Sequence, residues 1–165
     1  MARLNPVKRI MEAPLPSITY QRRKLFRPGP SDITYAYNIL NRHVFKSQLR
    51  MPKITVGRVN NAWGTCQWHY REHTNGSYCN IWLADKWFCP QWFMNTLAHE
   101  MVHQWQWDVY RWDHLEYHGK EMSTESHGHG PSFFSWREEF AYYGLNLKSW
   151  FRQKKWFIHQ DFTKC

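Results

Sequence analysis

Two histidines and a glutamate with helical spacing form the most chemically suggestive segment of this chain, His99-Glu100-Met101-Val102-His103. Positions four residues apart share one face of an α-helix, so the His99 and His103 imidazoles can bind a single ion. Zinc accepts histidine nitrogen, and a catalytic zinc site typically has three protein ligands and a water. Glu100 would lie about 100° around the helix, where its carboxylate can meet that water without being a ligand. The spacing matches the H-E-x-x-H arrangement of zinc-dependent peptidases.

The residues around this motif predict a buried helix. Pro90 suits a first helical turn, and neither Pro nor Gly occurs from Gln91 to about Tyr110. Apolar residues cover almost every side of this helix, and a helix that is apolar all round is buried. Buried imidazoles and a buried carboxylate need partners, because an unpaired polar group in such a place costs roughly a few kcal/mol. A metal ion would satisfy them.

A third ligand must come from elsewhere in the chain. The metzincin extension requires Gly at 106 and His at 109, where this chain has Gln106 and Val109, so that subclass is excluded. A glutamate on a later helix is one alternative, and the chain offers Glu116, Glu121, Glu125, Glu138 and Glu139. A sharper candidate lies in residues 127–134, where two histidines alternate with glycines before a helix that Pro131 opens and that ends near Gly144.

Of these two histidines, His129 is favoured over His127, because Gly130-Pro131 and the predicted helix follow it directly. Together, H-E-M-V-H at 99–103 and H-G-P-S-F at 129–133 resemble the SprT-like domain family, which includes bacterial SprT proteins and the eukaryotic Spartan proteases. Segments 37–54, 62–66 and 81–83 look like this family's N-terminal helix, the entry to its first strand, and its hairpin. The resemblance covers about residues 32–145.

The resemblance implies a zinc metalloprotease in which His99, His103 and His129 bind one zinc ion and Glu100 is the general base. It also implies that an edge strand aligns the peptide substrate, and the strand at 77–84 is our candidate. Spartan acts on proteins bound or crosslinked to DNA, which suggests a similar substrate class here. Two features depart from the family: the spacer between residues 103 and 129 is longer, and the zinc ribbon of bacterial SprT is missing, since no C-x-x-C occurs. The candidates for stabilising an oxyanion are Tyr117, His114 and His118.

The net charge of +9 is unevenly distributed. Residues 1–58 carry 12 Lys and Arg against 2 acidic residues, whereas residues 59–130 carry 4 against 8. Cations alternate with aromatic rings at 22–27 and at 148–156, a mixture that suits single-stranded nucleic acid. The residues concerned are Arg22, Arg23, Lys24, Arg27, Trp150, Arg152, Lys154, Lys155 and Trp156. A solvated surface that keeps the protein soluble is an equally good interpretation.

The predicted organisation is a Pro-containing basic arm at 1–30, one metalloprotease domain at 31–147 and a basic-aromatic tail at 148–165. Within the domain, the patterns predict a helix from Ser31 or Asp32, a strand at 53–59, a hairpin with arms at 63–70 and 77–84, the zinc helix and the Pro131 helix. We therefore expect an α+β fold of the minimal zincin-like kind, a small antiparallel sheet packed on helices. Cys66 and Cys79 would be neighbouring reduced thiols on the two hairpin arms.

No secretory signal and no apolar span of about 18 residues are present, so we expect no membrane contact and a cytoplasmic or nucleoid-associated protein. The alternative function is a nucleic-acid-binding or regulatory protein whose zinc site is structural and non-catalytic. Whether the fourth zinc position is open or is filled by His127 or a carboxylate discriminates the two functions.

Overall fold

Helices alternate with one small sheet along the chain. The structure, a computed structural model, describes residues 5–11, 26–59, 62–71, 76–87, 89–110 and 128–149. The elements in these residues are α1 (Pro6–Met11), α2 (Pro30–His43), β1 (Lys53–Gly57), β2 (Gly64–Arg71), β3 (Gly76–Ala84), α3 (Pro90–Asp108), α4 (Pro131–Phe134) and α5 (Arg137–Tyr142). The predicted α+β class, with a small three-stranded sheet packed on helices, is confirmed.

The sheet is mixed, however, with the strand order β1-β3-β2. β2 and β3 form the predicted antiparallel hairpin, but β1 pairs with β3 in parallel, opposing Ile54 to Ile81 and Val56 to Leu83. The prediction of a purely antiparallel sheet is therefore wrong. Alternating apolar residues indicate strands and their faces, but they do not specify which strand is the neighbour or its direction.

The same order corrects the predicted edge strand. β3, which contains residues 77–84, is paired on both sides and lies at the centre of the sheet. Its backbone groups are used by β1 and β2, so it cannot align a substrate as an added strand. In the described part of the chain, the sheet edge that contacts α3 is β2.

Helix α3 packs on the face of the sheet that carries the buried side chains of Cys79, Ile81 and Leu83. Its own residues are buried on nearly all sides, as predicted. Helix α2 adds the predicted stripe of Ile33, Tyr37 and Leu40 to the same core. Cys66 and Cys79 are free thiols whose side chains are neighbours across the hairpin, as predicted. The motif helix thus lies at the centre of the core, where its polar side chains must have partners.

The N-terminal region contributes to this core through a helix that the sequence pattern does not predict. Val7 and Met11 of α1 are buried, and α1 contacts both α2 and α3. Further along, Phe26 and Trp87 exchange two backbone hydrogen bonds of 2.7 and 2.8 Å. These two attachments fix residues on either side of a segment, 12–25, that lies outside the described residues.

The helix predicted from Pro131 to Gly144 is present as two short helices, α4 and α5. The break lies where the Ser135 hydroxyl donates to the Ser132 carbonyl oxygen at 2.6 Å. The Trp136 amide then bonds to the Phe133 carbonyl at 3.4 Å, three residues back, instead of continuing the α-helical pattern. A serine side chain that bonds to a carbonyl of the preceding turn in this way slightly destabilises a helix and often bends it.

Candidate metal centre

Helix α3 presents His99 and His103 on one face, one turn apart. Their ring centroids are 4.9 Å apart, and their Nε2 atoms approach to 3.2 Å. The predicted helix is confirmed around both residues, because Pro90 opens it and it continues without interruption to Asp108. The spacing of four residues therefore directs two imidazole nitrogens to one point, as the sequence predicts.

A loop brings His129 to the same point. Gly128 has a φ of 81°, in the left-handed region that favours glycine, and Gly130 precedes the first turn of α4. The chain can thereby turn tightly and place the imidazole of His129 against α3. The Nε2 atom of His129 lies 3.2 Å from the Nε2 atoms of both His99 and His103.

The three Nε2 atoms form a triangle with equal sides of 3.2 Å. An ion that binds imidazole tetrahedrally at about 2.0–2.1 Å holds its ligand nitrogens about 3.3–3.4 Å apart. These three histidines are also a group whose ligand atoms lie close enough together to hold a metal ion. The residues present therefore fit a single ion, and each offers the same atom to it.

The other ring nitrogens determine which atoms carry protons. His99 Nδ1 lies 2.9 Å from the Lys148 carbonyl oxygen, and His103 Nδ1 lies 2.8 Å from Gln106 Oε1. Both partners accept hydrogen bonds, so each Nδ1 is the protonated nitrogen and each Nε2 carries a lone pair. The His99 and His103 lone pairs therefore converge on one point, where a metal cation or an N–H of His129 can meet them.

Burial keeps these imidazoles neutral. It lowers the pKa of His99 well below its usual range, and the nearby His103 and His129 lower it further. Burial also lowers the pKa of His103 to about 4, although the hydrogen bond to Gln106 opposes the shift. A neutral imidazole is the form that binds a metal, so both helix histidines are in the binding form at neutral pH.

Gln106 connects the helix to the loop. Its Oε1 accepts from His103, while its Nε2 donates to the Gly128 carbonyl oxygen at 2.9 Å and to Ser132 Oγ at 2.8 Å. The side chain is fully buried and both amide hydrogens are used. Gln106 therefore orients one candidate ligand and positions the loop that carries another.

The segment after α5 orients the remaining helix histidine. The Asn146 amide donates to Asn95 Oδ1 of α3 at 2.9 Å, and Leu147 is buried. This attachment brings the Lys148 carbonyl oxygen to His99 Nδ1. Each helix histidine is thus oriented by a different part of the chain.

Phe133 forms an apolar wall against the three imidazoles. Its ring centroid lies 4.8, 5.0 and 4.7 Å from those of His99, His103 and His129, and the residue is fully buried. Such a wall excludes water from one side of the site and restricts the rotation of the rings.

The side chain of Glu100 projects from α3 towards β2. Glu100 does not belong to the three-histidine group. Its carboxylate accepts a hydrogen bond from the backbone N–H of Cys66 in β2. Burial raises the pKa of Glu100 to about 8, and the bond from Cys66 opposes the shift. A carboxyl group of this kind can gain or lose a proton near neutral pH.

The structure thus brings together His99, His103 and His129, whereas Glu100, the next residue after His99 on α3, contacts β2. Among the glutamates considered as ligands, Glu139 instead pairs with Lys46, and Glu138 is exposed. The remaining candidates lie outside the described residues. They are Glu116, Glu121 and Glu125 as ligands, His127 as the competing third ligand, and His114, Tyr117 and His118 as oxyanion-stabilising groups.

Two contacts of this region are not indicated by the sequence: the hydrogen bond of Gln106 to His103 and the packing of Gly64 against Glu100. A glutamine three residues after a histidine on a buried helix is placed to form a hydrogen-bonded pair with it. Gly64 carries no local signal, because its role depends on the packing of β2 against α3.

No protein-family model matches this chain, and no curated protein matches it. None of the helices in the described residues combines the length and the hydrophobicity that crossing a membrane requires.

Proposed function

We propose that this protein is a zinc-dependent metallopeptidase of the SprT-like kind. The observation that carries the proposal is the triangle of three imidazole nitrogens with Glu100 directly after the first ligand in the sequence. Three histidines are a known ligand set of catalytic zinc sites, in which the fourth position is kept for water or substrate. In the described residues, no further His, Cys, Asp or Glu joins this group.

His99, His103 and His129 would hold the ion through Nε2. A zinc ion held there would polarise a scissile carbonyl and lower the pKa of a water molecule. The Glu100 carboxylate accepts a proton from the attacking water and returns it to the leaving amine. In the metal-free protein, burial raises the pKa of Glu100 to about 8, near the working pH at which general acid–base catalysis is most efficient.

The substrate would be an extended polypeptide aligned on β2. The Trp63 carbonyl accepts the Ala84 N–H at 2.9 Å, so alternate residues of this arm direct their backbone groups towards β3. Gly64 and Cys66 direct theirs away from β3; because the Cys66 N–H is bonded to Glu100, a substrate strand would pair with the other backbone groups of this edge. Main-chain pairing of this kind tolerates many substrate sequences.

We further propose that the substrates include DNA-associated proteins. The support is the net charge of +9 and the cations at both ends of the chain. Of these, Arg27 is described and pairs with Asp85 at 3.3 Å on the surface, whereas residues 22–24 and 150–156 lie outside the described residues. If these cations bind phosphates, neutralising about three of them should flatten the salt dependence of single-stranded DNA binding by roughly 2–3 units. Replacing Trp150 and Trp156 with Ala should weaken binding by about 1–3 kcal/mol per stacked base without changing that slope.

Cleavage of a DNA-binding protein, with and without single-stranded DNA, tests the proposed function. We expect Glu100→Gln to keep zinc and fold but to lose hydrolysis by at least about 100-fold, because an amide cannot accept the proton. Full activity in this variant would remove Glu100 from its role. A zinc-loaded wild type that binds DNA but cleaves nothing would instead support the alternative, a nucleic-acid-binding protein with a structural zinc site.

A further inference from the structure

Strand β2 and helix α3 come closest at Gly64. A Cβ built on this glycine would lie 2.9 Å from Glu100 Cγ, 2.9 Å from Glu100 Oε1 and 2.9 Å from Thr96 Cγ2. Contacts this short do not occur for real Cβ atoms, so a side chain at position 64 would have to displace its neighbours. Thr96 and Glu100 are one helical turn apart on α3. Their side chains pack against the strand at the place where a side chain of residue 64 would lie.

The conformation of Gly64 does not itself require glycine. In the described residues, the glycines with positive φ are Gly128 and Gly144, and Gly64 is not among them. An alanine could adopt the same strand backbone without strain. The requirement for glycine at position 64 is therefore one of space beside Glu100.

We propose that Gly64 is a positioning residue for Glu100. The strand holds the carboxylate from two sides: the Cys66 N–H donates to it, and the absence of a side chain at Gly64 lets it lie against the strand. This inference rests on the proposed function, in which Glu100 exchanges a proton with the attacking water. The position of the Glu100 carboxylate would then be set by β2, the strand that the peptide substrate would also contact.

The side chains beside Gly64 cannot easily move away from an added methyl group. One of its close neighbours is Cγ, in the middle of the Glu100 side chain, and Thr96 is β-branched and therefore stiff on a helix. Glu100 would have to change its side-chain rotamer, which moves the carboxylate away from its place on β2. A displacement of about 1 Å in a catalytic group can cost roughly 100-fold in rate.

The test compares Gly64→Ala with Gly57→Ala. Gly57 ends β1, and a Cβ built there meets nothing within 4 Å, so it is a matched strand control. We expect Gly64→Ala to keep its zinc and its KM but to lose kcat by about 10- to 100-fold. Gly57→Ala should match the wild type. Equal kcat in the two variants, with Glu100→Gln inactive, would overturn the role of Gly64 and leave the proposed function intact.

A stability comparison gives a readout that does not depend on activity. The loss of Tm caused by Gly64→Ala, measured on the metal-free protein, should fall by at least half in a Glu100→Ala background, because two of the three obstructing atoms are gone. An unchanged loss of Tm would show that Glu100 is not the obstacle and would overturn the inference. If Gly64→Ala alone does not fold, recovery of folding in the double variant supports the inference, and continued failure contradicts it. A wild type without peptidase activity would rule out the proposed function. The Tm comparison would still show whether Glu100 packs against Gly64.

Discussion

Helix α3 carries two buried polar clusters, one around Gln104 and one around His103, and they differ in how completely they are satisfied. Gln104 Nε2 donates to the Arg50 carbonyl oxygen at 2.7 Å and to Asp108 Oδ2 at 2.9 Å, and its Oε1 lies 2.9 Å from the Tyr37 hydroxyl. Both amide hydrogens of Gln104 have protein acceptors, and the Tyr37 hydroxyl is shared between the Gln104 Oε1 and the Arg50 carbonyl oxygen. The cluster joins α3 to α2 and to the turn that precedes β1.

The histidine cluster lies next to it on the helix. Groups from outside the cluster bond to His99 and His103 through Nδ1. The Nδ1 atoms of His99 and His103 have carbonyl or amide oxygens as partners, whereas the Nε2 atoms meet one another at 3.2 Å. Two lone pairs that converge in a place closed to water are favourable only when a cation or an N–H meets them. A buried polar cluster with complementary partners stabilises the fold, whereas two imidazole acceptors that converge with a third imidazole suit a bound cation.

The largest predicted effect is the loss of zinc when one of the three histidine ligands is removed. We expect His129→Ala to weaken zinc binding by more than about 100-fold, beyond the range typical of groups outside the ligand set. His127→Ala and the distant His43→Ala should keep the metal. Metal analysis after dialysis checks this expectation. Loss of zinc in His127→Ala, with zinc retained in His129→Ala, would move the third ligand to His127.

The two glutamines provide the next test, since each replacement removes one amide. Gln106→Leu should weaken zinc binding by about 10- to 100-fold, because His103 loses the partner that fixes its tautomer and the loop loses its attachment. Gln104→Leu should leave zinc affinity unchanged and lower the free energy of unfolding by about 1–3 kcal/mol, since buried partners become unsatisfied. Zinc titration and urea denaturation of both variants measure the two effects. Equal zinc affinities would show that the clusters do not differ in function.

The smallest predicted effect concerns pH. The pKa of Glu100 is raised to about 8 in the folded protein from an ordinary value of 4.5, so folding favours its protonated form. Stability from this group is fully present below about pH 4.5 and is lost as the pH rises through about 8. Glu100→Gln does not titrate, so in the metal-free protein its stability relative to wild type should be greater at pH 8 than at pH 5 by at least about 1 kcal/mol. A difference that is independent of pH would contradict the burial of this carboxyl group.

The parts of the site that depend on local spacing could be predicted from the sequence, and the parts that depend on packing could not. His99 and His103 follow from helical periodicity, and His129 follows from its glycines and the helix after it. The place of β3 in the sheet could not be predicted, because alternation does not encode strand order. The contact between Gly64 and Glu100 joins residues on two elements and leaves no pattern in either. The carbonyl of Lys148 is a backbone group, so no residue type announces its role.

X-ray absorption of the zinc-loaded protein reports directly which atoms surround the metal. The three histidines predict one zinc per chain with a first shell of nitrogen and oxygen at about 2.0–2.1 Å and scattering from imidazole rings. The free thiols of Cys66 and Cys79 should remain outside that shell. A shell containing sulfur at about 2.3 Å, or a protein that retains no zinc, would contradict the assignment of His99, His103 and His129 as the metal centre.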